Sequence, residues 1–136
     1  MLNYLYKIGN FLYRKNIPFS VTFFKILIRF VCNSVVNPKT EIGEGTVFAY
    51  GGISVIIHER VKIGKNCMIG TNITIGGRSN IKNVPVIGDN VYIGASAIII
   101  GDIKIGNNST IGAGAVVLQD VPSGKTVVGN PARIIE

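Results

Sequence analysis

"IGDNVYIGASAIIIGDIKIGNNSTIGAGAV", residues Ile87 to Val116, repeats every six residues. Extended in both directions, the same cut gives ten hexads from Ile63 to Pro122. The first position is Ile nine times and Val once, and the second is Gly in seven of ten. The fourth is Asn, Asp or Gly in seven of ten. The fifth is mostly small or β-branched, as in Cys67, Ile73, Val91, Ala97, Ser109 and Ala115. A period of six matches neither a straight helix nor a coiled coil, and a fixed short period marks a solenoid.

Each hexad therefore predicts a short strand and a tight corner. The leading Ile points inward and stacks on its equivalent in the next coil, about 4.8 Å away. The fifth residue also faces in, where space is limited. Gly and Asn tolerate the positive φ that sharp corners demand. Three hexads close one triangular coil, which gives about five coils. The hexads at Ile75 and Ile81 fit less well, and Pro85 occupies a strand position, so Arg78–Val84 is read as a loop thrown out of the coil. Upstream, Ile42-Gly43 begins a hexad that is out of phase with Ile63. Extra residues must lie between Val47 and Ile57, directly before His58, the only histidine. Irregularity within a regular scaffold is where function tends to sit.

Residues 1–37 read differently. Leu2, Leu5, Ile8 and Leu12 fall near a helical period, and Pro18 interrupts it. Ser20 is placed as the N-cap of a second helix with Val21, Phe24, Ile28 and Val31 on one face and Thr22, Lys25, Arg29 and Asn33 on another. Asn37-Pro38 closes the helical part. The organisation expected is thus a helical extension, residues 1–37, and a β-helix domain, residues 38–136.

The 136 residues suit a single domain, and 47% of them are apolar, enough for a core. The net charge of +7 is concentrated at the front, where residues 1–40 hold six Lys or Arg and no acid. The cations lie along a helix rather than among stacking aromatics, which speaks against nucleic acid. The basic helix is instead a candidate for peripheral membrane contact. No secretory leader is evident, and Lys25 and Arg29 break the most apolar stretch, so no spanning helix is expected. Two cysteines without metal-ligand spacing fit a reducing compartment. The expected location is the cytoplasm, with the inner face of a membrane as a candidate contact.

These hexads resemble those of the left-handed β-helix, or hexapeptide-repeat, acyltransferases. "NITIGGRS" (Asn72–Ser79), "IGAGAVVLQDVP" and the closing "VVGNPARII" (Val127–Ile135) resemble the serine acetyltransferase branch, and still more the small O-acetyltransferases found with capsule and O-antigen genes. The resemblance covers roughly residues 38–136. It implies a mainly β fold and a homotrimer that transfers acetyl from acetyl-CoA, without a metal. One histidine cannot supply a three-imidazole zinc site. By position it implies Gly76, Gly77, Ala95 and Ala113 as backbone contacts to CoA, and Arg78, Lys125 and Arg133 for its phosphates. A backbone N–H at Gly76 or Gly77 would serve the oxyanion.

The sequence also departs from that branch. Where serine acetyltransferases carry Asp-His-Ala-Thr-Gly, the register gives Phe48-Ala49-Tyr50-Gly51-Gly52. Where they carry Arg-His-Pro, it gives Asn83-Val84-Pro85. His58 is therefore assigned as general base. The acceptor expected is a sugar hydroxyl in surface polysaccharide biosynthesis, because a zwitterion would meet no matched charges while Tyr50, Gly51 and Gly52 offer an aromatic face. The alternatives are a serine O-acetyltransferase and a non-catalytic β-helix scaffold. Cys67 is assigned to the core.

Overall fold

A computed structural model describes all 136 residues. Helices α1 (Leu2–Arg14) and α2 (Ser20–Cys32) precede a parallel β-solenoid. The first coil holds β1 (Val35–Val36), β2 (Glu41–Ile42) and β3 (Val47–Phe48). The second holds β4 (Ile56–Ile57), β5 (Lys62–Ile63) and β6 (Met68–Ile69). The third holds β7 (Thr74–Gly76), β8 (Val86–Ile87) and β9 (Tyr92–Ile93). The fourth holds β10 (Ile98–Ile100), β11 (Lys104–Ile105) and β12 (Thr110–Ile111). A partial fifth follows, with β13 (Val116–Val117), a single bridge at Val121 and β14 (Thr126–Val128). Four complete turns thus replace the five expected. Finally β15 (Arg133–Ile134) turns back antiparallel to β14.

The coils stack into three sheets. Sheet A runs β1-β4-β7-β10-β13, sheet B β2-β5-β8-β11, and sheet C β3-β6-β9-β12-β14-β15. Register follows the hexad's first position. Val36, Ile57, Ile75, Ile99 and Val117 form one inward ladder. Phe48, Ile69, Ile93, Ile111 and Val127 form another. All ten are buried, together with the fifth-position residues Cys67, Ile73, Val91, Ala97, Ser109 and Ala115. Burial pushes the Cys67 thiol pKa up, in keeping with its core assignment. At the fourth position Asn66, Asn72, Asn90, Ser96 and Asn108 all take positive φ, as the corner model requires. The extruded loop is present, closed by an Arg78–Ile81 bridge. The irregular stretch is also real, since seven residues separate β3 from β4 where four separate β6 from β7.

Coils approach so closely at corners that some side chains do not fit. A Cβ on Gly64 would stand 2.5 Å from the Gly88 carbonyl oxygen and 2.3 Å from Asp89 Oδ1. Backbone cannot yield there without separating two coils. Gly64→Ala is expected to cost about 1–3 kcal/mol, the usual range for overpacking. Thermal unfolding of the purified variant measures it.

The helices pack beside the first coil. Leu2 and Tyr6 join the solenoid core, and the Tyr6 hydroxyl donates to the Thr40 carbonyl. Asn10 Nδ2 donates to the Pro38 carbonyl at 2.8 Å. Several expectations need correction here. Solenoid pairing begins at Val35, not residue 38, because Val35–Val36 already pairs with Ile56–Ile57. The second helix ends at Cys32, with Asn33 in the left-handed region, well before Asn37-Pro38. Ser20 is its first helical residue, and its hydroxyl donates to the Ile17 carbonyl rather than capping. Ile8 and Val31, which share a helical period with buried Leu2 and Ile28, are themselves about half exposed.

Candidate active site

His58 follows inward Ile57 at the corner between sheets A and B. Its backbone N–H donates to the Ile75 carbonyl at 2.9 Å, which anchors it to the coil above. The ring is half-buried, and Nδ1 accepts the backbone N–H of Arg60 at 3.1 Å. An imidazole nitrogen that accepts a hydrogen bond carries no proton, so the neutral ring must carry its proton on Nε2. In this orientation Nε2 presents a donor. To abstract a proton at Nε2, the ring would first have to surrender Arg60.

His58 opens into a groove of about 680 Å³. The outward face of sheet A forms its floor through Val35, Ile56 and Thr74, with Gly76 and Gly77 at the corner. Helix α2 forms a wall through Lys25, Ile26 and Arg29. Glu59 is the one acid lining it. Its carboxylate accepts Asn37 Nδ2 at 2.8 Å, and its carbonyl accepts the Thr40 hydroxyl at 3.2 Å. The group that orients His58 is thus the Arg60 N–H. No sequence motif marks a backbone donor two residues along. Arg60 acts twice, since its guanidinium also donates to the Lys82 carbonyl at 2.7 Å and holds the extruded loop.

Of the residues implied for CoA, the chain brings only Gly76 and Gly77 beside His58. An ideal Cβ on Gly76 would lie 3.9 Å from the His58 Cβ. The Gly77 N–H has no partner within the chain and is free to donate. Arg78 stands on the loop against Gly101. Ala95 and Ala113 lie on the edge between sheets C and A, and Lys125 on the edge between B and C. Arg133 is on the returning strand β15. Arg78 thus shares the A–B corner with His58, whereas Ala95, Ala113, Lys125 and Arg133 lie on other edges of the chain.

The groove also corrects the reading of its charge. Lys25, Arg29 and Glu59 give it two cations and an acid, charges that the Phe48-Ala49 and Asn83-Val84 registers lack. The cations were missed as site residues because they come from a helix distant in sequence. Tyr50 is 86% exposed but sits at the C–A corner, outside the groove lining.

Comparison with known proteins agrees with this architecture. Residues 85–119 match the family model "Bacterial transferase hexapeptide (six repeats)", and residues 60–79 match "Hexapeptide repeat of succinyl-transferase". No curated protein sequence matches. Among solved structures, the chain is similar to soybean serine acetyltransferase, at 36% identity and TM-score 0.87, over 98% of this chain and 56% of that one. The Neisseria gonorrhoeae serine acetyltransferase gives 33% and 0.89, over 99% and 53%. The Brucella abortus serine acetyltransferase in complex with coenzyme A gives 29% and 0.88, over 96% and 53%. The chain thus spans about half the length of the structures it matches. It is a hexapeptide-repeat β-helix protein. Over nearly its whole length it is similar to part of the serine acetyltransferases named above.

Proposed function

We propose that the chain is an acetyl-CoA-dependent O-acetyltransferase whose acceptor is serine or a similar small zwitterion. One observation carries the reading: Lys25, Arg29 and Glu59 converge with His58 on a single groove. A carboxylate would pair with the two cations, and an ammonium with Glu59. The likeness to serine acetyltransferases, one of them in complex with coenzyme A, supports the same acceptor and donor.

In the reaction the acceptor oxygen attacks the thioester carbonyl carbon and the C–S bond breaks. The proton lost by the hydroxyl ends on the departing thiol. Charge develops on the carbonyl oxygen, and donors preorganised there are worth more than in water. His58 Nε2–H and the Gly77 N–H are the two donors that the corner supplies. In this reading His58 acts as an oxyanion donor rather than as the base assigned from the sequence.

A homotrimer belongs to the same proposal. The outward rows of sheets A and C expose Val35, Ile56, Val47, Met68 and Tyr92, whereas sheet B shows Glu41, Lys62, Val86 and Lys104. Two apolar faces and one charged face suit a three-fold packing with sheet B in water and the sheet A groove at the seam between chains. Such packing would also bring edges of different chains together, which the scattered CoA positions require. Sedimentation should give three times the 14.6 kDa chain mass.

The test of function is thiol release from acetyl-CoA across a panel of acceptors. L-Serine should give the highest kcat/KM. A hexose or amino sugar as the best acceptor would restore the polysaccharide reading. No thiol release with any acceptor, together with no acetyl-CoA binding, would leave a scaffold.

A further inference from the structure

Both helices are apolar on two sides. On α1, Leu2, Tyr6 and Gly9 face the protein, yet Tyr4, Ile8 and Phe11 are 72%, 49% and 58% exposed. On α2, Phe24, Ile28 and Cys32 are buried, yet Phe23, Ile26 and Phe30 are 59%, 54% and 83% exposed. Both exposed sets step by three or four residues, so each forms a stripe along one helix face. Phe19, 87% exposed, precedes the second stripe. A helix that packs on its protein with one face normally turns polar residues outward on the other.

The surrounding charge has one sign. Lys7, Arg14 and Lys15 flank the stripes, Lys25 and Arg29 stand at the groove, and no acid occurs before Glu41. We propose that the helical pair docks flat on an anionic lipid bilayer. The aromatic and aliphatic side chains enter the headgroup–acyl boundary, and the cations meet the negative surface. Charge decides the occupant. A second copy docked through the same helical face would bring cations against cations with no acid to pair them, whereas an anionic surface complements Lys7, Arg14 and Lys15. The helices lie on the surface, since neither is long and apolar enough to cross a membrane.

Docking has a geometric corollary. Lys25, Ile26 and Arg29 also line the His58 groove, so the groove would open beside the lipid.

The experiment uses the full chain, co-sedimented with vesicles of phosphatidylcholine alone or mixed with phosphatidylglycerol. Binding should require the anionic lipid, weaken with added salt, and fall about tenfold or more in the Phe23→Ser/Phe30→Ser double variant. Both positions are exposed and outside the groove, and Phe23 meets the Phe24 ring edge-on at 5.2 Å, so thermal unfolding should shift by no more than the loss of one aromatic pair, which separates lost docking from lost folding. Absence of binding to the anionic vesicles overturns the proposal, as does equal binding by wild type and variant. So does a drop in particle mass by light scattering in the variant, which would show that a second copy covers the face.

Discussion

His58→Ala is expected to lower kcat about 10²–10³-fold with KM for acetyl-CoA little changed, the usual cost of removing one oxyanion donor. His58→Gln should recover at least about tenfold over the alanine variant, because a glutamine amide can place an N–H where Nε2–H stood. The prediction rests on the 3.1 Å contact from the Arg60 N–H to Nδ1, which fixes the proton on the other nitrogen. A base gives a different pattern. Glutamine cannot take up a proton, so alanine and glutamine variants would then be equally inactive. Steady-state kinetics on both separates the roles. Near wild-type turnover in His58→Ala would remove the residue from the chemistry altogether.

Ile99→Ala should destabilise the fold by about 2–5 kcal/mol, read as a loss of free energy in denaturant unfolding. Ile99 is fully buried and stacks between Ile75 and Val117 in the sheet A ladder. Neighbouring coils hold their spacing through hydrogen bonds, so the cavity cannot collapse readily. Ile99→Val should cost only about 0.5–1.5 kcal/mol. An Ile99→Ala cost below that of the valine variant would mean that the ladder does not carry the core.

The solenoid was legible because one physical constraint, inward stacking every six residues, acts on nearly every hexad. Ile81 and Ser79 fall in the same phase but are exposed, since the end of one hexad and the start of the next leave the coil as the loop. The extruded hexad explains the scattered CoA positions as well. Ile75 stacks on Ile99, 24 residues on, whereas Ile93 stacks on Ile111 after 18. Residues beyond the loop therefore move by one edge. A count of eighteen sets Gly77 in line with Ala95 and Ala113, and the structure puts them on different corners. His58 stood out as a lone imidazole at an irregularity. Lys25, Arg29 and Arg60 did not, because two are delivered by helix packing and the third acts through its backbone. Helical period could locate α1 and α2 but not choose between two apolar faces, as half-exposed Ile8 and Val31 show.

The returning C-terminal segment has a consequence for solubility. An open parallel coil offers unpaired backbone donors and acceptors that another coil could extend, the hazard of any bare sheet edge. Here β15 runs antiparallel along sheet C, while the Gly129 carbonyl accepts the Val116 N–H and the Ala132 N–H donates to the Val116 carbonyl on sheet A. Two of three exposed edges are thus already hydrogen-bonded, in a direction and with a bend that a further parallel coil cannot copy. The rod is denied its template, and a repeat able to propagate without limit is held short of becoming a fibre.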